Sequence, residues 1–323
     1  MTDQYGRIID YMRLSITDRC NLRCRYCMPE GICWVPQEER LTYAEFLRVA
    51  RQAVALGITK FKVTGGEPLT RPGCVDFIRS LKQLPGVEQV TLTSNGLLLP
   101  PLLDQLCAAG LDALNLSLDT LDDGHYRRLT GYAGEGVSRL LGLIERCTAK
   151  QLHTKINVVL LRENQEELEQ LGILAAQFPV DVRFIELMPI GLGTQEEHIG
   201  PEVALAQLKR RWPDLHPVSE KRGNGPAHYY AAQGLQGRIG LIDAVSHSFC
   251  QTCNRVRLTS TGWLKPCLCY QADTDLKPLL RGGGPDEVLR EAMRQAITQK
   301  PRAHCFSDRD KVTEQRKMSQ IGG

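Results

Sequence analysis

Three cysteines, Cys20, Cys24 and Cys27, fall within the eight residues CNLRCRYC, directly after the apolar run RLSIT. Thiolates at such short spacing are metal ligands before they are anything else. A structural zinc site is closed by four ligands in a tetrahedron, and this run is one short with no histidine nearby. A cubane of four irons held by three cysteines instead leaves one iron open, able to take a small molecule through its nitrogen and oxygen atoms. Three buried apolar cysteines are the bland alternative, and the alternation with Asn21, Arg23 and Arg25 speaks against it.

A second set lies towards the other end of the chain, in FCQTCNRVRLTSTGWLKPCLC. Cys250, Cys253, Cys267 and Cys269 supply four thiols, which suits a zinc ribbon, although one residue between the last two is tighter than usual. Spacing alone leaves zinc and iron equally open there. His247, three residues before Cys250, is within reach as a ligand but reads more simply as a loop residue.

The elements that must position these groups follow from hydrophobic pattern. Six short β-branched or apolar runs read as strands: Met12–Thr17, Lys60–Thr64, Val90–Ser94, Ala113–Leu118, Lys155–Leu160 and Val182–Leu187. Helical stretches alternate with them. The first is predicted to start at Thr42 as N-cap, with Glu45 as its reciprocal partner and Gly57 as its stop. Others are predicted over Gly73–Leu84, Pro101–Ala109, Gly136–Lys150 and Glu166–Gln177. Six right-handed strand-helix units make an α/β barrel or a partly open one, with the chemistry at the C-terminal ends of the strands. The fragments DRCNLRCRYC, GGEPLTR, SNG and SLD each follow one of the first four strands and so share that rim. After residue 190 the regularity fades into loops joining short strands, and a second region is expected over 191–323 beside a barrel of 1–190.

Composition narrows the class. A chain of 323 residues with 42% hydrophobic content builds an ordinary globular core, and a net charge of +3 does not point to nucleic acid. No apolar run approaches a membrane span, and the N-terminus MTDQYGR lacks a signal-peptide core, so a cytoplasmic protein is expected. In that compartment twelve cysteines read as ligands or buried thiols, not disulfides. Cys33, Cys74, Cys107, Cys147 and Cys305 show no mutual spacing and read as structural.

Cys20-x3-Cys24-x2-Cys27 with GGEP at Gly65–Pro68 resembles the radical S-adenosylmethionine (SAM) superfamily. DRCNLRCRYCMPEG, TGGEPLTR, FCQTCNRVRL and MSQIGG, in that order, resemble its GTP 3′,8-cyclase family, which opens molybdenum cofactor biosynthesis. The resemblance spans the chain and implies an incomplete (βα)6 TIM-like barrel with two [4Fe-4S] clusters. It implies that a 5′-deoxyadenosyl radical takes the C3′ hydrogen of GTP, the ribose radical then closing onto C8 of guanine. It assigns Cys20, Cys24 and Cys27 to the first cluster and Cys250, Cys253 and Cys267 to the second, leaving Cys269 spare. Tyr26, Gly65, Gly66, Glu67, Thr93, Asn95 and Ser117 would hold SAM.

GTP carries a triphosphate, and the chain has no GxxxxGK[ST] loop to cradle it. By the same resemblance Arg13, Lys60, Lys62, Arg183, Arg255 and Arg257 would bind the nucleotide, Lys62 standing where many relatives have Arg. Catalytic roles fall to Arg255, Arg257 and the Gly322–Gly323 tail, which relatives thread into the barrel. Implied partners are GTP, a reducing electron donor and, downstream in the pathway, cyclic pyranopterin monophosphate synthase, with a homodimer compatible and neither nucleic acid nor membrane involved. Two rivals stay in view: a two-cluster radical enzyme acting on a peptide, and a non-catalytic module organised by zinc.

Overall fold

In each of the first six strands one face is apolar and the other polar. Met12, Leu14, Phe61, Val63, Leu92, Leu114, Ile156, Val158, Val182 and Phe184 are buried in one continuous core, under the helices. Their neighbours in sequence, among them Arg13, Lys62, Thr91, Thr93, Asn115, Lys155, Asn157 and Arg183, line a cavity inside. Barrel interiors of this kind are usually filled by branched apolar side chains, so a polar inner face marks a space to be occupied.

The computed structural model describes the whole chain except Pro29, Glu30, Ala272 and Gly323, and the side chain of Arg309. Strands β1 Tyr11–Ser15, β2 Lys60–Thr64, β3 Gln89–Ser94, β4 Ala113–Ser117, β5 His153–Leu160 and β6 Asp181–Glu186 follow the predicted runs closely. Helices α1 Tyr43–Ala55, α2 Cys74–Lys82, α3 Leu103–Ala108, α4 Asp123–Thr130, α5 Gly136–Ala149 and α6 Leu168–Gln177 connect them, α4 being the one the pattern did not announce. The α1 start forms as expected: the Glu45 amide donates to Thr42 Oγ1 at 3.2 Å and the Thr42 amide to Glu45 Oε2 at 2.6 Å.

The region after residue 190 holds more order than its loop-like sequence suggests. It contributes helix α7 Pro201–Arg211 and strands β7 His216–Val218, β8 His228–Ala231, β9 Ile239–Ile242, β10 Arg255–Leu258, β11 Trp263–Lys265 and β12 Thr274–Asp275. Helices α8 Lys277–Arg281, α9 Asp286–Thr298 and α10 Met318–Ile321 complete it. All six of its strands join the barrel sheet, two of them directly beside the first six. β10 runs parallel to β1 and β9 parallel to β6, so the sheet order is β12-β11-β10-β1-β2-β3-β4-β5-β6-β9-β8-β7. Eight parallel strands thus curve round the cavity, and among the described residues β9 and β10 do not pair, leaving the barrel open. No helix among the described residues is long and apolar enough to cross a membrane.

Candidate active site

The loop after β1 carries the first cysteines. Cys24 starts a tight turn, its carbonyl accepting from the Cys27 amide at 2.9 Å and the Met28 amide at 2.8 Å. Cys20 Sγ accepts from the Leu22 amide at 3.4 Å and from Asn95 Nδ2 at 3.8 Å. The loop after β2 is pressed against the start of this segment, with Gly66 N donating to Thr17 O and Glu67 N to Arg19 O, both at 2.8 Å. A Cβ on Gly65 would stand 2.5 Å from Thr17 O, and one on Gly66 would overlap Arg19 O, so the approach requires glycine at both.

Gly65, Gly66, Tyr26, Thr93, Asn95 and Ser117 all line the cavity beside these cysteines. Tyr26 Oη donates to Asp119 Oδ2 at 2.6 Å, and Asp119 Oδ1 accepts from Val159 N at 2.7 Å. Burial pushes Asp119 up to about 6 despite both bonds. Glu67 does not reach the cavity wall. Its carboxylate is fully buried and accepts from Asn95 N at 2.7 Å, Ser94 Oγ at 3.0 Å and Leu69 N at 3.1 Å, with burial raising it to about 7. The Glu67 carboxylate thus braces the end of β3 and the loop after it, directly beside Gly65 and Gly66.

The second cysteine loop faces the first across the same cavity. Cys250, Cys253 and Cys267 line it, with Cys20, Cys24 and Cys27 at the other side, in a volume of about 330 Å³. Among the described residues no three His, Cys, Asp or Glu side chains converge as a single metal ion requires. Cys269 is fully buried and absent from the wall, and His247 is largely exposed with Nδ1 3.1 Å from Asp243 Oδ2. Neither is offered to the cavity.

Between the two cysteine sets stands a row of cations. Strand register places Arg257 beside Arg13 and Arg13 beside Lys62 on adjacent strands, at the separation of about 4.8 Å that neighbouring strands impose. Arg255, two residues before Arg257 on β10, and Arg183, on β6, line the same cavity. Burial, then the surrounding arginines, push Lys62 and Arg257 well below their ordinary values. Among the described residues none of Lys62, Arg183, Arg255 and Arg257 has a carboxylate within ion-pair distance. Like charges so placed repel one another until an anion enters. Lys60 departs from the expectation. It points to the same side as Lys62 but one step lower, where Nζ pairs with Asp10 Oδ2 at 2.6 Å, and it does not line the cavity.

Several wall residues went unread in the sequence. Lys155 and Asn157 share the inward phase of β5, a signal present in KINVVL. Lys155, lowered to about 8 by burial and by Arg183, reaches Tyr229 Oη at 3.1 Å. Lys300 and His304 come from the segment after α9 and leave no local signature. The tail arrives there too. The Ser319 amide hydrogen-bonds to Cys27, Met318 lines the cavity, and Arg257 Nη1 donates to the Gly322 carbonyl. Gly322 has φ of 74°, and a Cβ there would stand 2.9 Å from Thr64 Cγ2 and 3.0 Å from Ser15 Cβ. Gly323 lies outside the described residues.

Comparison with known proteins agrees with this architecture. Residues 14–174 match the Radical SAM superfamily model and residues 180–306 the Molybdenum Cofactor Synthesis C model. The chain is 40% identical over 325 residues to a GTP 3′,8-cyclase of Clostridium perfringens (strain 13 / Type A), covering 100% of both chains. It is 43% identical over 332 residues to one of Heliobacterium modesticaldum, again covering 100% of both. The fold resembles Streptococcus suis SuiB bound to S-adenosylmethionine, with a TM-score of 0.65 and 14% identity, covering 97% of this chain and 78% of that one. With full-length identity of this order, and two cysteine loops facing one cavity, the chain belongs to the GTP 3′,8-cyclase family of the radical SAM superfamily.

Proposed function

We propose that this chain cyclises GTP to (8S)-3′,8-cyclo-7,8-dihydroguanosine 5′-triphosphate, the first step of molybdenum cofactor biosynthesis, in the cytoplasm. One observation carries the reading: a single cavity has three thiols at one side, three at the other and a row of cations between. When bound, the first cluster and SAM supply a carbon radical able to take the C3′ hydrogen; the cofactor carries that chemistry and the protein places it.

The residues present fit these groups. Cys20, Cys24 and Cys27 would hold the first cluster, and Tyr26, Gly65, Gly66, Thr93, Asn95 and Ser117 surround the space beside it, where SAM would lie. Glu67, whose carboxylate braces Ser94 and Asn95, would hold the methionine part of SAM together with Gly65 and Gly66. Cys250, Cys253 and Cys267 would hold a second cluster. Arg13, Lys62, Arg183, Arg255 and Arg257, joined by Lys155, would receive the triphosphate through charge-assisted hydrogen bonds in a water-poor space. The tail at Gly322 would limit the room around the ribose. A reducing electron donor and a downstream cyclic pyranopterin monophosphate synthase would complete the setting, with the functional division of the chain near residue 190.

The test is product analysis by mass spectrometry after anaerobic incubation with dithionite, SAM and GTP, together with metal analysis. Iron near eight atoms per chain and a cyclised nucleotide are expected, two four-iron clusters per chain being the basis of that count. Zinc alone, or SAM cleavage that GTP leaves without product, would sink the reading.

A further inference from the structure

Behind the second cysteine loop two cysteines meet that the proposed chemistry does not use. Cys269 Sγ lies 3.2 Å from Cys305 Sγ, and the Cys305 amide donates to the Cys269 sulfur at 3.4 Å. They are 36 residues apart in sequence, which is why Cys305 looked solitary there. Both sit in a small apolar cluster with Ile190, Phe306 and Ile321, and neither lines the cavity. Cys269 is fully buried whereas Cys305 is partly exposed.

The same face fastens the chain's last segment. Lys265 and Glu314 form a buried ion pair, the Glu314 amide donates to Cys269 O at 3.2 Å, and the Gln271 amide donates to Thr313 Oγ1 at 3.0 Å. Beyond these contacts the segment delivers Ser319 to Cys27 and Gly322 to Arg257.

We propose that Cys269 and Cys305 are a reversible dithiol–disulfide pair that staples this segment to the second cysteine loop. A disulfide needs its sulfurs about 2.05 Å apart, so the thiols must close by roughly 1 Å, a side-chain adjustment. The difference in exposure orders the steps. Cys305 attacks a small-molecule disulfide such as oxidised glutathione, forming a mixed disulfide and releasing one thiol. Cys269 then attacks the Cys305 sulfur and expels the second thiol. Two protein thiols are oxidised, one small disulfide is reduced to two thiols, and the two protons stay with them. In a reducing cytosol the pair stays open; oxidising conditions close it. The proposal is independent of which metal Cys250, Cys253 and Cys267 hold.

The experiment uses metal-loaded protein held without oxygen and titrated with oxidised glutathione. It is then quenched in acid with N-ethylmaleimide, digested and mapped by mass spectrometry. Expected is a Cys269–Cys305 cross-linked peptide and the loss of two labels, with bound metal unchanged and hydrogen exchange over residues 306–322 slowed several-fold. In Cys269→Ser the reaction should stop at a glutathione adduct on Cys305. A wild-type adduct that never resolves, a cross-link appearing only after metal loss, or unchanged exchange in the cross-linked protein would each overturn the proposal.

Discussion

Around Cys20, Cys24 and Cys27 the nearby carboxylates of Glu67 and Asp119 add to the burden of burial, whereas Arg255, Lys300 and the His304 ring surround Cys250 and Cys253. Burial pushes Cys20 up to about 11 and Cys27 to about 12, and Cys24 well above its ordinary value. Burial also pushes Cys250 up, but hydrogen bonds from His304 and Ser248 outweigh it and bring it down to about 7. Cys253 is lowered too, and only Cys267 stays raised by burial. Ligating sulfurs must be deprotonated, so loading the first loop releases more protons than loading the second. The positive surroundings of the second loop also favour holding an anionic substrate.

The strongest break in the comparison is removal of a ligand. Cys24→Ala or Cys27→Ala should abolish both SAM cleavage and cyclised product. Cys253→Ala or Cys267→Ala should keep some unproductive cleavage, seen as 5′-deoxyadenosine, while product disappears. Wild-type product from the second pair would show that the two loops do not divide the work.

Next in size is the tail, which touches both sides. Deleting Gly322 and Gly323, or making Gly322→Ala, should leave both metal contents and SAM cleavage largely intact. Product formed per SAM cleaved should fall on the order of 10- to 100-fold, because small misplacements at a reacting centre are costly in rate. An unchanged ratio would reduce the tail to a packing element.

The cation row sharpens the contrast further. Lys62→Ala or Arg257→Ala should weaken GTP binding by about 1.5–3 kcal/mol, the worth of a hydrogen bond to a charged group, without disturbing the first loop. Equilibrium dialysis with GTP and guanosine checks this, since equal affinity for the two would refute a triphosphate pocket. Because Lys155 is held near 8, its charge is lost as pH rises through that value, and GTP should bind up to about tenfold more weakly at pH 9 than at pH 7. Calorimetry at both pH values measures the slope, which Lys155→Met should flatten. The smallest effect belongs to Lys60→Ala. Its ion pair with Asp10 is partly solvated, so about 0–1 kcal/mol of stability is at stake and nucleotide affinity should hold.

Much of this was legible residue by residue. Alternation in FKVT and ALNLS announces strands with one apolar face, and Thr42 with Glu45 announces a helix start, because both depend on neighbours only a few positions away. The same alternation gives each strand a polar face as well, and the curve of the sheet makes that face the wall of a cavity. Lys60 and Lys62 show where this ends. Phase puts both on one face, but height along the barrel sends one to Asp10 and the other to the cavity.

The sequence by itself determined the strands, their alternating phase and the cysteine spacings, all properties of short segments. Only the tertiary structure decided that β9 and β10 extend the barrel, that the two cysteine sets share one cavity, that glycine is needed beside Thr17 and Arg19, and that the Glu67 carboxylate braces Asn95. It alone brought Cys269 against Cys305 and Gly322 against Arg257. The reason is physical: these pairings join residues tens to hundreds of positions apart, and their partners are selected by burial and strand register across the whole sheet, which no local pattern encodes.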